Sequence, residues 1–491
     1  MNRALRRISL ACLLMFAALL INMNYRQAFQ ASSLTSKPNN TRTFNQQFQN
    51  KRGPITTSDG VTVAESRAQS GLYKYKRYYP SGPEYAPVTG YDSIFGQTGI
   101  EQAENRFLNG TDPALAVRNL IDLVTGKPQQ GASVQLTINS KAQQAAYQAL
   151  KAFGKSGAVV AIQPSTGAIL AMTSYPSYNP NDYATFDGKQ LDKTDARLRA
   201  DKSQPLLNRA INETYPPGST FKIVTSSTAF NTGHYTPNSS VYAPTVLHLP
   251  GTTNTLVNNN GEICGNGGGT APLTVAFAES CNTVFGHLGM VVGNSALRSQ
   301  AGKFGMNSAN LTIPMPVSPS NYPVVHGGAY TAYSAIGQFN DTVTPLQEAM
   351  FSAAIANGGK LMRPYLVQTV KAPDLTTVRQ ATPSVLGQPD TARTAGYVKQ
   401  MMLQVVNSPQ GTAYAVPGIH AAGLNIAGKT GTAQNGGNNT GLNDAVFTAL
   451  APYSNPSIAV GVVIKGGGYG AAAAAPIAVA VIKAYLAFLG R

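Results

Sequence analysis

The apolar run at residues 8–23, preceded by Arg3, Arg6 and Arg7, constrains this chain more than any other stretch. Arginines ahead of an apolar segment hold a short N-terminus on the cytoplasmic side, so everything after Asn24 is expected outside the membrane. The run is short for a spanning helix, which needs roughly 17 to 25 residues, so a cleaved signal peptide is the competing reading. Its cleavage site would be the small-x-small string Ala31-Ser32-Ser33. We expect a retained anchor: a cytoplasmic tail at 1–7, a transmembrane anchor at 8–23, and no later segment apolar and long enough to span.

What remains of the 491 residues is too long for one typical domain, so two extracytoplasmic units are expected. Lys and Arg outnumber Asp and Glu by 37 to 21, a surplus that suits an anionic surface such as lipid, nucleic acid or a cell-wall polymer. Nucleic acid is not expected, because basic residues do not cluster with aromatics and the chain has no Trp. Of the three cysteines, Cys12 falls in the anchor, and Cys264 and Cys281 lie where oxidation is permitted. They form either a disulfide or two free thiols. No metal-ligand spacing occurs, and neither a metal nor a cofactor is expected.

Residues 24–133 are polar and weakly periodic, with turn formers such as Tyr79-Pro80-Ser81-Gly82-Pro83, and read as a mixed pedestal or interaction domain. From 134 the texture changes. Residues 134–138 alternate like a strand, Asn139 or Ser140 can cap a helix at 141–153, and apolar runs at 158–162 and 169–174 flank the turn Pro164-Ser165-Thr166-Gly167 as a hairpin. Helical stretches follow at 219–230, 274–290 and 344–357. Strands at 425–434, 444–451 and 457–465 then lead to an alanine-rich helix at about 475–489. The pattern predicts an α+β fold whose second domain, 134–491, has a sheet covered by helices. Glycine- and asparagine-rich segments at 258–269, 435–443 and 466–470 read as surface loops.

Ser219-Thr220-Phe221-Lys222 follows Pro216-Pro217-Gly218, so the serine sits in the first turn of a proline-started helix with Lys222 beside it. A desolvated, neutral Lys222 can take the Ser219 proton as the hydroxyl attacks a carbonyl, and N–H groups at the helix start supply half of an oxyanion site. Ser280-Cys281-Asn282 alone reads equally well as a polar kink in a helix. Lys429-Thr430-Gly431-Thr432 lies in a β-like run. Its glycine lets a ligand approach the backbone, and Lys429 with the threonine hydroxyls can hold a carboxylate. Each motif taken singly also fits an ordinary surface. All three in this order are far more specific.

The set resembles the signature of β-lactamases and penicillin-binding proteins. Over nearly the whole chain it is similar to the class B penicillin-binding proteins, particularly actinobacterial ones. The similarity extends to Arg52-Gly53-Pro54-Ile55, Asn208-Arg209-Ala210, Ala335-Ile336-Gly337-Gln338, Thr344-Pro345-Leu346-Gln347 and Ala356-Asn357-Gly358-Gly359. The resemblance implies a transpeptidase domain with an antiparallel sheet. It also implies a reaction in which Ser219 attacks the penultimate D-Ala carbonyl of a peptidoglycan stem peptide and passes the acyl group to a neighbouring amine. β-Lactams would acylate the same serine. Lys222 would be the base, Ser280 a proton shuttle, and Asn282 a partner of the substrate amide. Lys429, Thr430, Gly431 and Thr432 would bind the terminal carboxylate, with the Ser219 and Thr432 N–H groups as oxyanion donors. Residues 24–133 are too few for a glycosyltransferase, so a membrane glycan polymerase and division or elongation proteins are the implied partners. Asp444-Ala445-Val446-Phe447 departs from the pattern where many relatives place an aromatic before the Phe.

Rival functions share this chemistry. A β-lactamase needs a base for deacylation, and the one glutamate between Asn282 and Lys429 is Glu348, in a stretch that reads as packing. A carbamylated Lys222 is the remaining route. A DD-carboxypeptidase differs only in using water as acceptor. An antibiotic sensor needs a cytoplasmic output larger than seven residues, and a non-catalytic scaffold has no need of Ser219 or Lys222.

Overall fold

The computed structural model describes residues 3–29, 47–126, 128–434 and 443–490. The string Ala31-Ser32-Ser33 and residues 435–442 of one glycine-rich segment fall outside them. The N-terminal run forms a helix, Arg3–Phe29, longer than the expected 8–23. Among the described residues its apolar side chains are left uncovered: Ile8, Leu13 and Phe16 are each more than 60% exposed. The window Arg6–Arg26 is long and apolar enough to cross a membrane. So, against expectation, is Gly470–Phe488, which begins about five residues before the alanine-rich helix read from sequence. That helix is largely buried, because it packs on a sheet.

The sheet has five strands, all antiparallel, in the order Ala427–Ala433, Asp444–Ala451, Ile458–Ile464, Gly157–Ile162, Ile169–Tyr175. The three central strands are apolar on both faces and wholly buried, as a sheet sandwiched between helices requires. Gly470–Phe488 and Ser140–Phe153 cover one face, and Pro345–Ala356 covers the other. Gly461 permits that last packing: a Cβ there would lie 2.7 Å from Pro345 O and 2.8 Å from Glu348 Cβ. Ala427–Ala433 is left as the edge strand and flanks the site.

A second sheet has six strands, in the order Thr377–Gln380, Val367–Lys371, Ser133–Leu136, Ile55–Thr56, Thr62–Ala68, Tyr75–Tyr78. Strands from both sides of the expected 133/134 boundary share it, since Ser133–Leu136 pairs with Ile55–Thr56 on one side and Val367–Lys371 on the other. Beside it Glu101, wholly buried, accepts from Arg52 Nε and Arg77 Nε, each at 2.6 Å. Arg77 Nη1 also holds Gly53 O at 2.8 Å, so the Arg-Gly-Pro-Ile string is anchored through both its charge and its backbone.

The helix expected at 274–290 is not continuous. Leu273–Ala278 ends before Ser280, which has φ +61, and Cys281 in extended conformation precedes a new helix, Asn282–Val292. The second motif therefore lies in a turn between helices rather than on one helical face.

Candidate active site

The proline pair and Gly218 start a 3-10 turn, Gly218–Phe221, that continues as the helix Lys222–Asn231. In a 3-10 turn residues three apart eclipse, which sets Ser219 over Lys222 more directly than an α-helix would. Gly218 has φ +55 and donates to Gly337 O at 2.9 Å, and a Cβ on it would lie 2.8 Å from Thr432 O. Only glycine fits between these neighbours. Ser219 itself is half-buried and lines a cleft of about 880 Å³.

Lys222 is wholly buried; its Nζ donates to Ser280 O at 2.7 Å and Asn282 Oδ1 at 2.7 Å, and lies 3.2 Å from Ser280 Oγ. Phe285 closes over the amine, its ring centroid 5.5 Å away. Burial, with the charge of Lys429 added, holds the Lys222 ammonium well below the usual lysine range. A neutral amine has two hydrogens. Ser280 O and Asn282 Oδ1 are obligate acceptors that use both, so the lone pair is free for a hydroxyl proton.

Lys429 is also wholly buried, beneath Phe277, and donates to Ser280 Oγ at 2.8 Å and Thr430 O at 3.2 Å. Burial pushes its ammonium down to about 7. The Ser280 hydroxyl therefore lies between two lysine nitrogens. Thr430 and Thr432, two apart on the edge strand, both line the cleft. Between them Gly431 faces the turn at Gly218–Phe221, where a Cβ would lie 2.8 Å from Pro217 O.

The structure joins Cys264 to Cys281 with Cα atoms 5.9 Å apart. Glu279 sits beside the pair and accepts from Gly265 N at 2.7 Å, so the bridge and this bond together hold the glycine-rich segment against the second motif. Because the sulfurs are bonded to each other, Cys264, Glu279 and Cys281 do not form a thiolate metal site.

Sequence reasoning missed several residues that line the cleft: Asn258, Tyr333, Phe339, Thr412 and Tyr469. Thr412 meets Thr430 Oγ1 at 2.6 Å and comes from a segment with no motif of its own. Tyr469 lies within Gly466–Gly470, read only as a surface loop. Glu348 does not line the cleft. It is wholly buried behind the turn Gly218–Phe221, with Oε1 2.9 Å from Thr220 Oγ1.

Known proteins match this arrangement. Residues 157–483 fit the family model "Penicillin binding protein transpeptidase domain", and residues 52–134 fit "Penicillin binding protein A dimerisation domain". The peptidoglycan D,D-transpeptidase PbpA of Mycolicibacterium smegmatis is 40% identical over 500 residues, covering 99% of both chains. The penicillin G acyl-enzyme complex of penicillin-binding protein A from M. tuberculosis has a TM-score of 0.84 at 38% identity. It covers 89% of this chain and all of that one. The ceftriaxone acyl-enzyme complex of the same protein has a TM-score of 0.86 at 38% identity, covering 90% of this chain and 100% of that one.

Proposed function

This chain belongs to the class B penicillin-binding proteins, and from that premise we infer that it is a serine D,D-transpeptidase that cross-links peptidoglycan stem peptides and is acylated by β-lactams. The observation that carries the residue assignments is the meeting of Lys222 Nζ and Lys429 Nζ on Ser280 Oγ beside the cleft lined by Ser219.

In this reading neutral Lys222 takes the Ser219 hydroxyl proton as Ser219 Oγ bonds to the penultimate D-Ala carbonyl carbon. The oxyanion is held by the backbone N–H groups of Ser219 and Thr432; the latter's strand is at the sheet edge, where alternate N–H groups point away from the neighbouring strand. As the C–N bond breaks, the proton on Lys222 passes through Ser280 Oγ to the departing D-Ala amine. Lys429 donates to that hydroxyl and keeps it oriented. Asn282 holds the stem peptide amide, and Thr430 with Thr432 takes the terminal carboxylate, Lys429 contributing its charge from behind. An amine of a second stem then attacks the acyl-enzyme and the steps run in reverse. Glu348, buried away from the cleft, is not placed to activate water there as a deacylating base.

The chain would hang from the cytoplasmic membrane by residues 8–23, with 24–133 as pedestal and 134–491 as catalytic domain outside. Its glycan strands would come from a membrane polymerase acting with division or elongation proteins. Full-length protein from washed membranes, treated with penicillin G and read by intact and peptide mass spectrometry, tests these assignments. One adduct on Ser219 and an uncleaved N-terminus are expected. An adduct on another residue overturns the site, and a start near Ser32 overturns the anchor.

A further inference from the structure

Glu348 has no part in the chemistry above, yet it touches the element that carries the nucleophile. It sits on the helix Pro345–Ala356 with no exposure, and its Oε1 lies 2.9 Å from Thr220 Oγ1, on the residue after Ser219. The same Thr220 hydroxyl lies 2.8 Å from Pro217 O, two residues before Ser219. A hydroxyl has one hydrogen, and Pro217 O can only accept. If Glu348 were a carboxylate, two acceptors would compete for that hydrogen and one buried oxygen would lose its bond. If Glu348 is protonated, both contacts are satisfied at once: Glu348 O–H donates to Thr220 Oγ1, and Thr220 O–H donates to Pro217 O.

The surroundings agree. Its other oxygen, Oε2, is buried with no hydrogen-bond partner, which is costly for a charged oxygen and tolerable for the carbonyl of an acid. Of the elements packed against this helix, Gly157–Ile162, Ile458–Ile464 and Leu361–Met362 carry no titratable residue. Asp444 on Asp444–Ala451, Arg209 on Arg209–Asn212 and Arg393, Tyr397 and Lys399 on Ala392–Asn407 complete the set. None of these shifts Glu348, whose acid is pushed up to about 8 by burial, opposed only by Thr220.

We propose that Glu348 is a positioning residue for the nucleophile: as a neutral acid it donates to Thr220, which turns the Thr220 hydroxyl onto Pro217 O and pins both ends of the turn that presents Ser219. The proposal rests on Ser219 being the acylated residue. Gly431 also packs closely on the turn, since a Cβ there would lie 2.8 Å from Pro217 O. Ionisation of Glu348 would reverse its bond to Thr220 and release Pro217.

Acylation by penicillin G tests this in the full-length protein, with Glu348→Leu and Glu348→Gln compared with the unaltered chain. Glu348→Leu removes the donor and should slow acylation about tenfold. Glu348→Gln restores a donor through its amide and should recover most of that loss, without the ionisation near pH 8. Infrared difference spectra, unaltered minus Gln variant, should show the carbonyl stretch of a protonated carboxylic acid at pH 6 that fades by pH 9. Absence of that band at pH 6, or Gln and Leu variants that acylate equally slowly, overturns the proposal. So does a Leu variant that acylates at the unaltered rate. Peptide mapping separates the two readings: an adduct away from Ser219 refutes the nucleophile, whereas an adduct on Ser219 with unchanged rates refutes only Glu348. Should the Leu variant not fold, the infrared band and the Gln variant's pH profile decide.

Discussion

Two ammonium groups on one hydroxyl repel, and burial works against both charges. It pushes the Lys222 ammonium well below the usual lysine range, with the charge of Lys429 adding to the shift, and pushes the Lys429 ammonium down to about 7. In the mechanism proposed above acylation needs Lys222 without its proton and Lys429 with it, so the rate is expected to fall as pH rises through about 7. Stopped-flow acylation by penicillin G between pH 5.5 and 9 would read this limb, roughly tenfold per pH unit at its steepest if the cation is essential. A flat profile across that range would mean that neutral Lys429 serves equally well. The same shift has a stability sign. Unfolded Lys429 holds its proton to about 10.5, so the unfolded chain binds the extra proton between about 7 and 10.5. Its contribution is full above 10.5 and is lost as pH falls through 7. Lys429→Met should flatten the dependence of unfolding free energy on pH across that window.

At the scale of elements, the second motif shows what short-range pattern can and cannot carry. Ser219 and Lys222 were legible because a proline pair, a glycine and a spacing of three define one turn, and Lys429 because a strand gives its neighbours fixed faces. The break at Ser280 was not legible. Phe277-Ala278-Glu279-Ser280-Cys281-Asn282 suits a helix by composition, and a serine with φ +61 leaves no trace in the residue types around it. What holds that strained turn is tertiary: both lysines bond Ser280, Cys281 is tied to Cys264, and Asn258 Oδ1 accepts from Thr283 N at 3.0 Å. Thr412 and Tyr469 reach the cleft through long-range packing that no local pattern announces. The bridge spans a sequence separation of 17 and in the chain-entropy model is worth about 3 kcal/mol. Because it also seats the turn bearing Ser280, Cys264→Ser should lower the melting temperature and slow acylation together. A variant that loses stability but acylates at the unaltered rate would show that the lysines alone hold Ser280.

For the whole molecule, the shared six-stranded sheet argues that pedestal and catalytic domain do not fold as separate units. Val367–Lys371 and Thr377–Gln380 come from the catalytic half of the chain, yet they extend the sheet that begins with Ile55–Thr56. Arg379 reaches across to Glu104 at 2.6 Å, and its guanidinium stacks on the Phe107 ring at 4.9 Å. Beside the sheet, one buried carboxylate, Glu101, bridges two buried guanidiniums, and Asp92 Oδ2 lies 3.8 Å from Arg52 Nε as a second, weaker partner. Both arginines lower the Glu101 acid below the usual carboxylate range even against its burial. Removing one member of such a group strands the others without water, which costs about 3 to 5 kcal/mol. Glu101→Leu takes from both guanidiniums their 2.6 Å carboxylate partner, leaving Asp92 near Arg52, and should therefore destabilise more than any single apolar truncation nearby. Since the sheet links the halves, the loss should appear in one cooperative transition followed by circular dichroism and by loss of penicillin acylation at the same denaturant concentration. Two separated transitions, with acylation surviving the first, would show instead that the catalytic domain stands without its pedestal, and that the strands at 367–380 hold their place through the catalytic core alone.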